Sequence, residues 1–161
     1  MEKLLEQKSL IISSLNHQLL PEISYAPFIR DGIDLYIYIS KAAAHYHHLL
    51  MNPNCSVMMI EDEKDAKNIF ARERLSFNCK VDLMKEVEED IFKKFDASHG
   101  ASIMSVLKKL DFDIFKLNIQ SGRLVKGFGK AYDITICDDQ LIISEGSVMG
   151  HKMKKNHQFN W

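Results

Sequence analysis

The stretch SYAPFIRDGIDLYIYIS, residues 24–40, reads as two strands joined by a tight turn. Ser24 to Ile29 is an extended run. Asp31-Gly32 follows, and glycine's tolerance of positive φ suits a two-residue hairpin connection. From Leu35 to Ser40 aliphatic residues alternate with tyrosine. Leu35, Ile37 and Ile39 point one way and Tyr36 and Tyr38 the other, which is the period of a strand. The two runs are expected to pair.

Working toward the N-terminus, Leu4, Leu5, Leu10, Ile11 and Leu15 fall on one helical stripe. They predict an amphipathic helix over residues 1–18, closed off by Pro21. Toward the C-terminus, Ser40 is placed to cap a helix from Lys41 to Met51, which Asn52-Pro53-Asn54 stops. Cys55 to Ile60 is a continuous apolar run, as in a strand covered on both faces. Glu61 to Lys67 reads as a solvated turn, and Ile69 to Met84 as one long strand. Two helical segments follow, Glu86 to Phe95 and Ala101 to Leu110. Strands are expected at Phe112 to Asn118 and at Leu124 to Tyr132, where Gly127 and Gly129 suggest a bulge. A last hairpin spans Ile134 to Ile143. Residues 144–161 lack periodicity and read as a mobile tail. Short strands with interposed helices and no βαβ alternation predict an α+β fold built on an antiparallel barrel. Residues 1–161 form one domain, without repeat or linker.

Composition narrows the function. Net charge is −1, so no global basic field favours nucleic acid, although Lys152, Lys154 and Lys155 cluster near the end. Cys55, Cys79 and Cys137 are odd in number and form no C-x-x-C pair, against a zinc site or a disulfide framework. Each lies in a strand-like run and is expected as a buried free thiol. Charges at Glu2, Lys3, Glu6 and Lys8 interrupt the N-terminal apolar residues, so neither a signal peptide nor a membrane span is read there. A cytoplasmic setting is expected.

Several residues offer chemistry. His45 and His48 are three apart in a helix, a spacing that can bind metal, but with no acidic ligand paired to them a polar helix face that carries histidines is the preferred reading. His151 follows Gly150 in the basic tail, where an imidazole can serve as an axial iron ligand or simply be solvated. Arg72 and Arg74 are two apart in an expected strand and would share a face, suiting a phosphate or a propionate. They could equally face Glu61, Asp62 and Glu63. Lys126-Gly127-Phe128-Gly129-Lys130 has the wrong glycine spacing for a P-loop, and neither G-x-S-x-G nor G-x-G-x-x-G occurs.

The blocks Ser24-Tyr25-Ala26-Pro27-Phe28, Tyr38-Ile39-Ser40 leading to His45, Val57 to Asp62, Phe70 to Leu75 and Val125 to Tyr132, in this order, resemble the haem-degrading HugZ/HutZ proteins. These belong to the wider split-barrel superfamily that includes pyridoxamine 5′-phosphate oxidases. The resemblance covers roughly residues 20 to 151. It implies a homodimer of antiparallel split β-barrels with flanking helices, and active sites at the dimer interface. It implies haem as both cofactor and substrate, with dioxygen and an external electron donor. Ring opening would yield a biliverdin-type product and release iron. By resemblance, His151 is the iron ligand, with His157 the alternative in the same tail. Arg72 matches the pocket arginine. Asp111 matches an acidic residue that pairs with the axial histidine across the dimer, with Asp113 the alternative. His45 matches a histidine that is not the ligand. Lys41, Arg72, Arg74 and His151 are the expected cofactor contacts, and Arg72 and Asp111 the expected catalytic pair.

Two competing readings keep the fold. One is an FMN-dependent oxidoreductase, with Arg72 and Arg74 holding the phosphate. The other is a haem-binding or iron-handling protein without turnover. No nucleic acid or membrane partner is expected.

Overall fold

The computed structural model describes residues 1–146, and residues 147–161, with His151 and His157, lie outside the described residues. The chain order is α1 (Glu2–Leu5), β1 (Ser9–Leu15), β2 (Pro21–Asp31), β3 (Asp34–Ser40), α2 (Ala44–Met51) and β4 (Asn54–Ile60). It continues through β5 (Arg74–Leu83), α3 (Glu89–His99), α4 (Ala101–Leu107), β6 (Phe112–Val125), β7 (Ala131–Cys137) and β8 (Gln140–Glu145). The strands run in the order β3-β2-β1-β4-β5-β6, and β6 pairs back onto β3. Six antiparallel strands therefore close into a barrel, and β7 and β8 extend from β6 beyond it. The fold is α+β, as expected.

The hairpin of residues 24–40 forms as β2 and β3, with Phe28 opposite Ile37. Gly32 sits at φ 61 in the two-residue connection, the conformation that β-carbons disfavour. Along β3 the alternation has a direct structural meaning. Leu35, Ile37 and Ile39 fill the barrel, with Leu10, Phe28, Phe77, Phe115 and others. Tyr36 and Tyr38 point outward into a second cluster with Ile91, Phe95, Met104 and Ile114. Helices α3 and α4 thus cover one outer patch of the barrel and bury β3 on both faces.

Several expectations are corrected. The N-terminal helix is only Glu2–Leu5; Ser9–Leu15 is a strand instead. Leu10 and Ile12 alternate with less buried neighbours, and the slot between β2 and β4 outweighs the helical stripe. Residues Cys55 to Ile60 are a strand with one covered face, since Cys55, Val57 and Met59 are buried and Ser56 is exposed. Ile69–Ala71 forms a short 3-10 turn, capped by Asn68 Oδ1 accepting from the Phe70 N–H at 2.9 Å, and the strand begins only at Arg74. The predicted strands at Phe112 and Leu124 are one 14-residue strand ending at Val125. Gly127 and Gly129, at φ 79 and 70, make the reversal into β7 rather than a bulge, tied by Lys126 N–H to the Lys130 carbonyl at 2.8 Å. The irregularity lies instead between Asn78 and Cys79, opposite residues 119–121. Ser40 Oγ accepts from the Ala42 N–H at 3.1 Å, so it closes a turn and the helix starts at Ala44. Cys55 and Cys79 are buried free thiols directly opposite each other on β4 and β5, but Cys137 is exposed.

Gly122 is the most tightly enclosed glycine among the described residues. A β-carbon there would lie 2.5 Å from the Phe77 ring and 2.9 Å from the Ser76 carbonyl oxygen. Phe77 is itself fully buried, so neither ring nor strand has room to retreat. Gly122→Ala is expected to destabilise the fold by about 1–3 kcal/mol through overpacking. Urea denaturation would check this, with a lowered midpoint and an unchanged slope.

Candidate functional site

Three regions carry the candidate residues. The first is a hollow of about 390 Å³ where β5 begins, β6 ends and β7 starts. Phe70, Arg74, Arg123, Phe128 and Lys130 line it. Phe70 is 85% exposed and Phe128 59% exposed, unusual for phenylalanines in a protein with a filled core. Both sit on turns: Phe70 on the 3-10 turn before β5, Phe128 between the two positive-φ glycines. Arg123 donates from Nη1 to Asp133 Oδ1 at 2.8 Å.

Arg72 and Arg74 do not form the same-face strand pair expected of them, because Arg72 precedes the strand. The Arg72 guanidinium donates from Nε to the Glu61 carbonyl at 2.8 Å and from Nη2 to that same oxygen. Its Nη1 meets Glu63 Oε1 at 3.2 Å. Arg72 therefore ties the 61–63 turn to the approach to β5. Arg74 lines the hollow and contacts the Arg72 carbonyl from Nη1 at 3.5 Å.

The second region is at the start of β6. The Lys41 N–H donates to the Asp111 carbonyl at 2.8 Å. Lys41 Nζ lies 3.4 Å from Asp113 Oδ2, and the Tyr46 hydroxyl donates to that oxygen at 2.6 Å. The hydrogen bond to Asp113, followed by burial, pushes the Tyr46 hydroxyl up to about 12. Asp113 is thus held by two partners, while the Asp111 side chain is exposed. Tyr46 was not legible as a site residue, since nothing in the sequence brings position 46 to position 113.

Arg123 and Asp113 belong to the same strand, ten residues apart. At ~3.3 Å per residue they are separated by roughly 30 Å of strand. Arg74 pairs opposite Val125 at the end of β6 and Asp111 precedes its start, so the two stand at opposite ends of that strand.

The third region is a cavity of about 510 Å³ between the outer face of the barrel and α3 and α4. Its walls include Tyr38, Phe95, Met104, Leu107 and Phe112. His45 and His99 also line it. His45 Nε2 is buried and has no hydrogen-bond partner among the described residues. Burial first, and the nearby His48 second, push its imidazole down, so it is neutral near pH 7. His99 Nε2 lies 3.0 Å from the Phe28 carbonyl, which makes that nitrogen the donor. His45 and His48 do not share a ligand: His48 Nδ1 is 3.1 Å from Ser14 Oγ, and its Nε2 is 4.0 Å from Glu22. Among the described residues no group of three or more His, Cys, Asp or Glu could hold a metal ion. No helix among them is long and apolar enough to cross a membrane.

Comparison with known proteins matches this architecture. Residues 1–126 match the family described as pyridoxamine 5′-phosphate oxidase. The chain is 36% identical over 155 residues to the heme oxygenase HutZ of Vibrio cholerae, covering 94% of this chain and 86% of that protein. The solved structure of ChuZ from Campylobacter jejuni superposes with a TM-score of 0.83 at 32% identity, over 98% of this chain. This chain spans 64% of the ChuZ chain. The solved structure of HutZ, described as a heme storage protein, gives a TM-score of 0.71 at 35% identity, over 80% of this chain and 93% of that one. With identity and barrel agreeing across most of its length, the chain belongs to the pyridoxamine 5′-phosphate oxidase family, as a HutZ-type member.

Proposed function

We propose that this chain binds haem between two copies of itself and opens the ring oxidatively, as a haem oxygenase. The observation that carries the reading is the hollow itself: two exposed phenylalanines beside Arg74 and Lys130. A flat apolar macrocycle bearing two carboxylates asks for aromatic faces and cations together. The likeness to a protein named heme oxygenase supports it.

Each residue then has a role. Arg74 pairs with a propionate. Arg72, through the Glu61 carbonyl, fixes the rim that carries Phe70 and Arg74. His151 supplies the imidazole for iron. The Gly146 N–H donates to the Ala131 carbonyl at 2.9 Å, and Ala131 lines the hollow, so the chain reaches position 146 beside it. Five further residues span at most about 17 Å, which brings position 151 within range. An acidic partner would fix the tautomer of His151 and strengthen it as a ligand. Asp111 suits this role, being exposed where Asp113 is occupied, and its place at the far end of β6 supports its coming from a second copy. Haem, when bound, supplies the redox chemistry. Dioxygen supplies the oxygen atoms and an external donor the electrons. The setting we assign is the cytoplasm.

The second reading, haem storage without turnover, rests on the relative whose structure is described as a storage protein. Haem titration followed by ascorbate in air separates the two. A Soret band that forms and then bleaches, with a biliverdin-type product and chelatable iron, is expected. A band that persists under reductant leaves storage, and no band at all ends the haem reading. His151→Ala is expected to remove the spectral signature of axial histidine while light scattering still reports a dimer. An unchanged spectrum would move the ligand elsewhere. Arg74→Ala should weaken haem binding about tenfold, the order of one charge-assisted hydrogen bond.

A further inference from the structure

We infer that Cys55 and Cys79 form an oxidisable dithiol, a modification site that a small hydroperoxide closes to a disulfide bridging β4 and β5. The site is independent of the haem reading, since neither cysteine lines the hollow by Phe70 and Phe128.

Register brings the two together. Far apart in sequence, they are directly opposite on neighbouring antiparallel strands. Opposed residues share a face, and both side chains enter the same barrel core. Opposed α-carbons on antiparallel strands stand about 4.5–5.5 Å apart, inside the range of about 4.4–6.8 Å that disulfides span. Beyond Cys79 the β5–β6 ladder shifts register between Asn78 and Cys79, so the pairing that would hold Cys79 away from β4 is interrupted there. Cys137, by contrast, is exposed on β7 and faces neither of them.

The two thiols are not equivalent. Cys55 is the second residue of β4, beside the Asn52-Pro53-Asn54 turn, and keeps 8% exposure against 3% for Cys79. The Cys55 thiol beside it first, and burial second, push the Cys79 thiol up. A thiol held protonated is a poor first nucleophile, which leaves Cys55 to meet the oxidant and Cys79 to resolve it. The Cys55 sulfur attacks hydrogen peroxide, the O–O bond breaks, and sulfenic acid and one water result. The Cys79 sulfur then attacks the Cys55 sulfur, the S–O bond breaks, and the hydroxyl leaves with the Cys79 proton as a second water. Two thiols are oxidised to one disulfide and one peroxide is reduced to two waters. The bridge closes residues 56–78, with Phe70 and Arg72 among them, into a loop. A thiol reductant reopens it, as suits a reducing setting where such bridges are transient.

The test uses the full chain carrying Cys137→Ser, which leaves only these two thiols. It is treated with hydrogen peroxide in native buffer, quenched, unfolded and labelled with N-ethylmaleimide, then read by intact mass and peptide mapping. Both labels are expected to be lost together, with a cross-linked peptide that joins Cys55 to Cys79 within one chain. Dithiothreitol should restore full labelling. Adding Cys79→Ser should stop the reaction at the Cys55 sulfenic acid, captured by dimedone. The first readout changes neither cysteine of the pair, so it decides the site whether or not that second variant folds. Retention of both labels overturns the site. So does sulfinic acid on Cys55 with Cys79 still labelled, a bridge only between chains, or a bridge that forms only in unfolding urea.

Discussion

Backbone pairing along β6 constrains everything else. Residues 112–117 pair with β3 and 122–125 with β7, while β5 lies along 115–125 on the other side. Pairing with β3 closes the barrel and removes a sheet edge that would otherwise invite aggregation. Pairing with β7 carries the chain back out of the barrel. Both candidate surfaces are therefore ends of one strand, and their separation is set by its length. The contact of Gly122 with Phe77 falls where β6 exchanges one duty for the other, pairing with β5 and β7 together. Only a residue without a β-carbon lets β6 lie that close to the ring.

Polar groups divide into those already spent and those still available. Arg72, Asp113, Tyr46, His48 and Arg123 all have partners within the chain. A group satisfied in this way holds structure, and recruiting it to a ligand costs the bond it already makes. The exposed Asp111 side chain is different: a ligand or a second chain can engage it without breaking anything described. Arg72 is held by the Glu61 carbonyl and Glu63 while Arg74 lines the hollow, although the two stand only two residues apart.

What was legible follows from the range of the interaction responsible. The β2–β3 hairpin was readable because Gly32 and the Leu-Tyr-Ile-Tyr-Ile alternation are local signals. Strand β1 was misread because Leu4, Leu5, Ile11 and Leu15 fit a helical stripe, and only the slot between β2 and β4 selects extended chain. The 3-10 turn before β5 depends on a single Asn68 cap within a run that otherwise looks like strand. The pairing of Cys55 with Cys79, and of Tyr46 with Asp113, is a product of register across distant strands and helices. That Arg72 turns back onto the Glu61 carbonyl while Arg74 lines the hollow was not readable from their spacing, because it depends on how the 61–63 turn packs against the approach to β5.

A closed six-stranded barrel has no room for a tetrapyrrole. Its interior is packed by Leu10, Phe28, Ile37, Phe77, Phe115 and their neighbours, all nearly inaccessible. Any sizeable ligand must lie outside the barrel wall, either under the helices or on the open surface. Under the helices the lining is uncharged, which rejects dicarboxylates and phosphates alike. On the open surface, the hollow by Phe70 and Phe128 has the cations but covers a disc from one side only. A planar ligand held there leaves its second face to water. The acidic group suited to work beside it lies some 30 Å of strand away in the same chain. On the haem reading proposed above, both deficits would be met by one remedy, a second copy placed so that the start of its β6 faces the hollow. On that reading, the same strand length that separates the two surfaces within a chain would make a pair of chains the smallest complete unit.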